Sequence, residues 1–94
     1  MNREELNGAR VLVDFWAPWC GPCKVVKPLV ERFGEENSEV EVVFCNIDED
    51  QELAQEFGVR GIPTLVYLEN GEEVGRKIGN SNYEQIKGLT EGTK

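Results

Sequence analysis

The chain contains no histidine, and only three cysteines and one methionine among its 94 residues. Three cysteines (Cys20, Cys23 and Cys45) cannot all pair within one chain, so a disulfide framework of the kind that staples small secreted domains is disfavoured. A structural zinc site needs four Cys or His ligands. With no His and one further Cys, a zinc site within the chain is disfavoured, and an iron–sulfur cluster is disfavoured on the same count. Long apolar runs are missing as well, and nothing approaches the ~20 residues of a membrane-spanning helix. The opening MNREELNGAR has no apolar segment of signal-peptide type, so a cytoplasmic location is expected. Basic side chains are few, 10 against 18 acidic ones, for a formal net charge of −8. Such a surface repels phosphate backbones and anionic lipid heads, which argues against nucleic acid or membrane as a main partner. Its plainest use is solubility.

What is present fits one domain spanning residues 1–94. A chain of this size buries roughly 60–65% of its unfolded surface, a modest core. Residues 2–9 are polar apart from Leu6 and suit a short helical turn. VLVDFW (11–16) reads as a strand with Val11, Val13 and Phe15 on one face and Leu12, Asp14 and Trp16 on the other. Both faces are largely apolar, so the strand is expected to be central and covered on both sides.

APWCGPC is a turn punctuated by Pro18, Gly21 and Pro22. Val25, Val26, Leu29, Val30 and Phe33 give residues 23–34 a helical period, with a kink expected at Pro28 and an end at Gly34. VEVVFCN (40–46) is a second strand. A short helix follows over 49–57, capped by Asp48 or Asp50, with Leu53, Ala54 and Phe57 inward and Gly58 as its stop. TLVYLE (64–69) and EEVGRKI (72–78) form a hairpin around Asn70-Gly71. The last helix covers 82–90, with Tyr83, Ile86 and Leu89 on one face and Ser81 and Glu84 at capping-box spacing; the tail EGTK should fray. The order β-α-β-α-β-β-α opens with a right-handed parallel crossover.

The chemistry lies in Cys20-Gly21-Pro22-Cys23, between a buried strand and a helix start. Two intervening residues, Gly21 and Pro22, in a turn let the sulfurs bond without large strain. Unsatisfied N–H groups at the helix N-terminus stabilise a thiolate at Cys20. The thiolate attacks disulfides, and a lowered thiol pKa also makes it a better leaving group. The expected cycle has two exchanges. Cys20 forms a mixed disulfide with a substrate; Cys23, one helical turn further in, then attacks Cys20 and releases the reduced substrate.

Asp14, six residues before Cys20 on an otherwise apolar strand, is the second candidate. Burial raises a carboxyl pKa, which suits a proton acceptor for Cys23; the alternative is an Asp satisfied by local backbone hydrogen bonds. Trp19 is either a substrate contact or packed by its edge, and Trp16 reads as core. Pro63, in Gly61-Ile62-Pro63-Thr64, reads as a strand starter. Cys45, mid-strand, reads as a buried inert thiol.

VDFWAPWCGPCK (13–24), NIDED (46–50) and GVRGIPTLVYLENGEEVGRKIG (58–79) resemble the thioredoxin family over residues 11–90. The resemblance implies a truncated thioredoxin fold of the α/β class, a four-stranded mixed sheet flanked by helices. It implies a protein disulfide reductase in which Cys20 is the exposed nucleophile, Cys23 the resolving thiol and Asp14 the buried acid beneath it. Pro63 would be cis, with the Ile62 backbone offering strand-like hydrogen bonds, and Trp19, Gly61, Ile62 and Gly79 would line the substrate groove. No cofactor beyond the Cys20–Cys23 disulfide and no metal is implied. The partners are disulfide-containing proteins and a reductase donor, either NADPH-flavin or ferredoxin linked, acting on a monomer. Gly-Pro between the cysteines is typical of reducing members; oxidases and isomerases usually carry His there.

Two departures stand out. Only ten residues precede Val11, so the family's first strand is expected to be absent and strand 40–46 to be an exposed edge, guarded by Glu39 and Glu41. Phe44 stands where many members carry a Lys near the buried Asp. Asp14 is then expected to lose a cationic neighbour and to have its pKa raised further. An oxidase or isomerase, and a binding subunit using the same groove without redox chemistry, are the competing readings.

Overall fold

Leu12, Val13, Asp14 and Phe15 are all fully buried, so the strand that carries them has no solvent side. A computed structural model describes residues 1–91 and places this strand, β1 (Arg10–Trp16), inside a four-stranded sheet of order β2-β1-β3-β4. β2 (Glu41–Asn46) runs parallel to β1, while β3 (Thr64–Glu69) runs antiparallel to β1 and to β4 (Glu72–Ile78). The sheet is therefore mixed, as expected, and β2 is one of its edges.

The two faces of β1 sort the core. Val11, Val13 and Phe15 pack with Leu6, Leu53, Ala54 and Phe57, which come from a short 3-10 helix (Arg3–Leu6) and from α2 (Gln51–Glu56) with its C-cap. Leu12 packs with Val26, Val30 and Phe33 of α1 (Gly21–Glu36) and with Ile86 of α3 (Tyr83–Glu91). Each such side chain contributes about 1.5–3 kcal/mol by leaving water. Arg10 ties β1 to α3 by donating to the Tyr67 hydroxyl (2.6 Å) and to the Thr90 carbonyl (3.2 Å).

Several boundaries differ from the sequence reading. α1 does not end at Gly34 but continues to Glu36, with Asn37 as its C-cap. The glycine serves close packing instead: a Cβ there would lie 2.9 Å from Val42 Cγ2 on β2. Asp50 is the N-cap of α2 but makes no side-chain cap bond; its carboxylate pairs with the Met1 amine at 2.9 Å. The capping box before α3 is not Ser81/Glu84. Asn82 and Gln85, one residue on, satisfy each other's backbone N–H groups (2.8 and 2.9 Å), because they stand at the same spacing. Asn70 and Gly71 both have positive φ (53° and 84°), as the hairpin turn requires. Of the EGTK tail, Glu91 closes α3, and residues 92–94 lie outside the described residues. No helix among the described residues is long and apolar enough to cross a membrane.

Candidate active site

β1 delivers its chain end, Trp16 and Ala17, to the start of α1, and the turn between them carries the cysteines. Cys20 is the N-cap of α1, extended at φ −90° and ψ 110°, and Pro22 falls in the first helical turn, where a missing N–H is tolerated. The Cys20 and Cys23 sulfurs are joined in a disulfide with a Cα–Cα distance of 5.3 Å. Cys20 Sγ also accepts the Cys23 N–H at 3.2 Å. The helix end thus points a backbone donor at the sulfur, which favours negative charge there when the pair is reduced.

The pair is covered. Cys20 is 5% exposed and Cys23 2%; with Ala17 they form one cluster, against which Trp16, Ile47 and Ile62 pack. Cys20, expected to be exposed, is instead buried almost as fully as Cys23 in the disulfide form. Ile62 packs against the cluster that holds the pair, and the Ile62–Pro63 peptide bond is cis. β1–β3 pairing ends at Phe15 opposite Thr64, so the Ile62 backbone lies beyond the paired ladder. Gly79 donates its N–H to the Pro63 carbonyl at 2.8 Å, which places Gly79 on the same rim. Gly61 lies against Ile78, which is 62% exposed. Trp19 is 67% exposed, and its indole N–H donates to the Asp48 carboxylate at 3.0 Å.

Asp14 is fully buried, and neither carboxylate oxygen has a hydrogen-bond partner within the protein. The alternative of local backbone satisfaction is thus not realised. Burial pushes its pKa up to about 7 from the usual 3.8, while Lys27 pulls it down. Asp14 shares its face of β1 with Trp16, which packs against the cluster that holds Cys20 and Cys23. Its register partner on β2 is Phe44, as the sequence comparison anticipated. Asp14 is nevertheless not without a cation, because the charge of Lys27 on α1 acts on it. Lys27 was missed in the sequence, although its place four residues after Cys23 puts it on the same helix face. Asp48, the partner of Trp19, carries no such local signal at 29 residues' separation.

Cys45 is fully buried and unpaired, and burial raises its thiol pKa to about 11. Among the described residues no group of three or more Cys, Asp or Glu side chains is placed to hold a metal.

The family model for thioredoxin matches residues 3–91. The chain belongs to the thioredoxin family. It is 50% identical over 74 residues to the thioredoxin of Porphyra purpurea, covering 78% of this chain and 69% of that one. Against the thioredoxin of Bacillus subtilis it is 44% identical over 86 residues, covering 90% and 83%. A solved point mutant of thioredoxin from Halobacterium salinarum superposes with a TM-score of 0.89 at 38% identity, over 99% of this chain and 86% of that one. With the close Cys20–Cys23 pair at the start of α1, this member of the family is a thiol–disulfide oxidoreductase and a protein disulfide reductase. Thioredoxin family membership implies disulfide-bearing protein substrates and a thioredoxin reductase as general partners.

Proposed function

We propose that Cys20 is the attacking sulfur, Cys23 the resolving one and Asp14 the proton acceptor that activates Cys23. The observation that carries this assignment is the bond from the Cys23 N–H to Cys20 Sγ at the α1 N-terminus. It singles out Cys20 as the sulfur whose anion the backbone stabilises. Cys20 thiolate attacks a substrate disulfide; one substrate sulfur leaves as a thiolate and the other stays bonded to Cys20. The Cys23 thiol then passes its proton to Asp14 and attacks Cys20. The mixed disulfide breaks, the second substrate sulfur leaves with the electron pair, and the proton returns through Asp14. The substrate gains two electrons and the cysteine pair loses two.

Trp19, Gly61, Ile62, Pro63 and Gly79 form the surface on which the substrate chain lies. The Ile62 backbone, beyond the end of the β1–β3 ladder, offers strand-like hydrogen bonds to it. Gly21 and Pro22 keep the turn tight. The cycle needs no group besides the disulfide itself. The protein works as a monomer in a reducing compartment, the cytoplasm, where a thioredoxin reductase of NADPH-flavin or ferredoxin type restores the dithiol. The unpaired Cys45 suits such a compartment.

Trapping tests the assignment. Cys23→Ser should accumulate a mixed disulfide on Cys20 when given a disulfide-bonded protein, because capture proceeds and resolution cannot. Cys20→Ser should capture nothing. Capture by Cys20→Ser at a rate comparable to that of Cys23→Ser would reverse the roles.

A further inference from the structure

Lys27 stands on α1 one turn beyond Cys23, half-buried. Its ammonium nitrogen lies 4.7 Å from the Trp16 ring centroid and 5.5 Å from that of Phe44. Both residues neighbour Asp14 in the sheet. Trp16 is two residues along β1, so its side chain leaves the same face. Phe44 is Asp14's register partner on β2, and side chains directly opposite in paired strands share a face. The ammonium therefore sits over the sheet face from which the Asp14 side chain leaves, without hydrogen-bonding to its carboxylate.

Among the described residues Lys27 is the cation that pulls on that carboxylate; Lys77 leaves the same sheet face but stands two strands away, beyond Leu65. The residue opposite Asp14 on β3 is Leu65 and on β2 is Phe44. α1 contributes Lys27 and Cys23, and Cys23 carries charge only as a thiolate. A lysine is a flexible point charge, and two aromatic faces give it a fixed seat through their negative quadrupoles. Phe44 thus has a use beyond displacing a cation from β2: it helps to hold one supplied from α1.

We infer that Lys27 is a positioning residue for resolution of the mixed disulfide, seated on Trp16 and Phe44 to supply a cation to Asp14. The inference rests on the reading of Asp14 as proton acceptor. Without the cation, a fully buried carboxylate with no hydrogen bonds would ionise only in more alkaline solution, and fewer molecules would be ready to take the Cys23 proton at neutral pH. Lys27 touches neither substrate nor sulfur in this account; it acts through Asp14.

The test uses the full chain with Lys27→Met and Lys27→Arg. Two quantities are read: the titration of the Asp14 carboxyl by carbon NMR, and the pH profile of the resolution rate after rapid mixed-disulfide formation. Lys27→Met should move the Asp14 midpoint upward by about one unit, leaving an ionised fraction at pH 7 roughly fivefold smaller. The resolution rate should fall about as much at pH 7 and recover at higher pH, and Lys27→Arg should restore most of both. Coincident titrations of wild type and Lys27→Met would overturn the coupling. Asp14→Asn separates the two readings. If it resolves as fast as wild type while Lys27→Met still displaces the Asp14 titration, the proton-acceptor reading falls and Lys27's part in resolution falls with it. If Asp14→Asn is slow and Lys27→Met is not, only the inference about Lys27 is overturned.

Discussion

Asp14 and Phe44 stand opposite each other across the parallel pair β1–β2, so the strand neighbour of a buried, unbonded carboxyl is an aromatic ring. A lysine placed at 44 would add a second cation beside Lys27 and favour the ionised carboxylate. Phe44→Lys should therefore shift the pH profile of resolution toward acid relative to the native protein. Stopped-flow resolution rates over pH 5–9 read this directly, and superimposable profiles would refute it.

The same carboxyl destabilises the fold at alkaline pH. Its pKa is raised in the native state, from 3.8 to about 7, mainly by desolvation. The native state thus holds the proton more tightly than the unfolded chain does. The stability linked to that proton is fully present below pH 3.8 and is lost as pH rises toward and through 7. At pH 8 and above the native state forgoes up to about 4 kcal/mol of stability on this account. Asp14→Asn should accordingly raise the urea midpoint at pH 8, and the gain should shrink to near zero at pH 4. A gain that does not change with pH would show that packing, not ionisation, sets the effect.

Gly34 offers a packing test with a change of sign. Alanine is favoured over glycine inside a helix by about 1 kcal/mol. A Cβ at 34 would meet Val42 Cγ2 at 2.9 Å, and overpacking of that kind costs about 1–3 kcal/mol. Gly34→Ala should be neutral to destabilising alone, and stabilising in a Val42→Ala background. Chemical denaturation of the four variants of this cycle checks it; equal effects in both backgrounds would remove the close-approach explanation.

Much of this was legible in the residues themselves. The alternation in VLVDFW marked β1 as covered on both sides, and Asn70-Gly71 marked the hairpin, because both signals are local and match the tertiary demand. The reactive pair and Asp14 were legible for the same reason: a CxxC at a helix start and a carboxyl among apolar strand residues are anomalies within a few positions. What failed was either degenerate or non-local. Ser81/Glu84 and Asn82/Gln85 share one spacing, and only the path of the chain chooses between them. Gly34 carries the local signature of a helix end, but its role is set by Val42 on another element. Asp50 was drawn to the Met1 amine instead of capping α2. The Lys27 seat needs Trp16 and Phe44 from two strands, so the residue stands out only once α1 lies on the sheet.

The reduction potential of the Cys20–Cys23 pair tests the central claim most directly, followed through the fluorescence of Trp16 and Trp19 in defined dithiol buffers. A protein disulfide reductase must hold its electrons less tightly than the thiols it serves, so the account predicts a value at or below the cytosolic glutathione range of about −220 to −260 mV. A value well above that range would contradict it and assign the pair to disulfide formation or isomerisation.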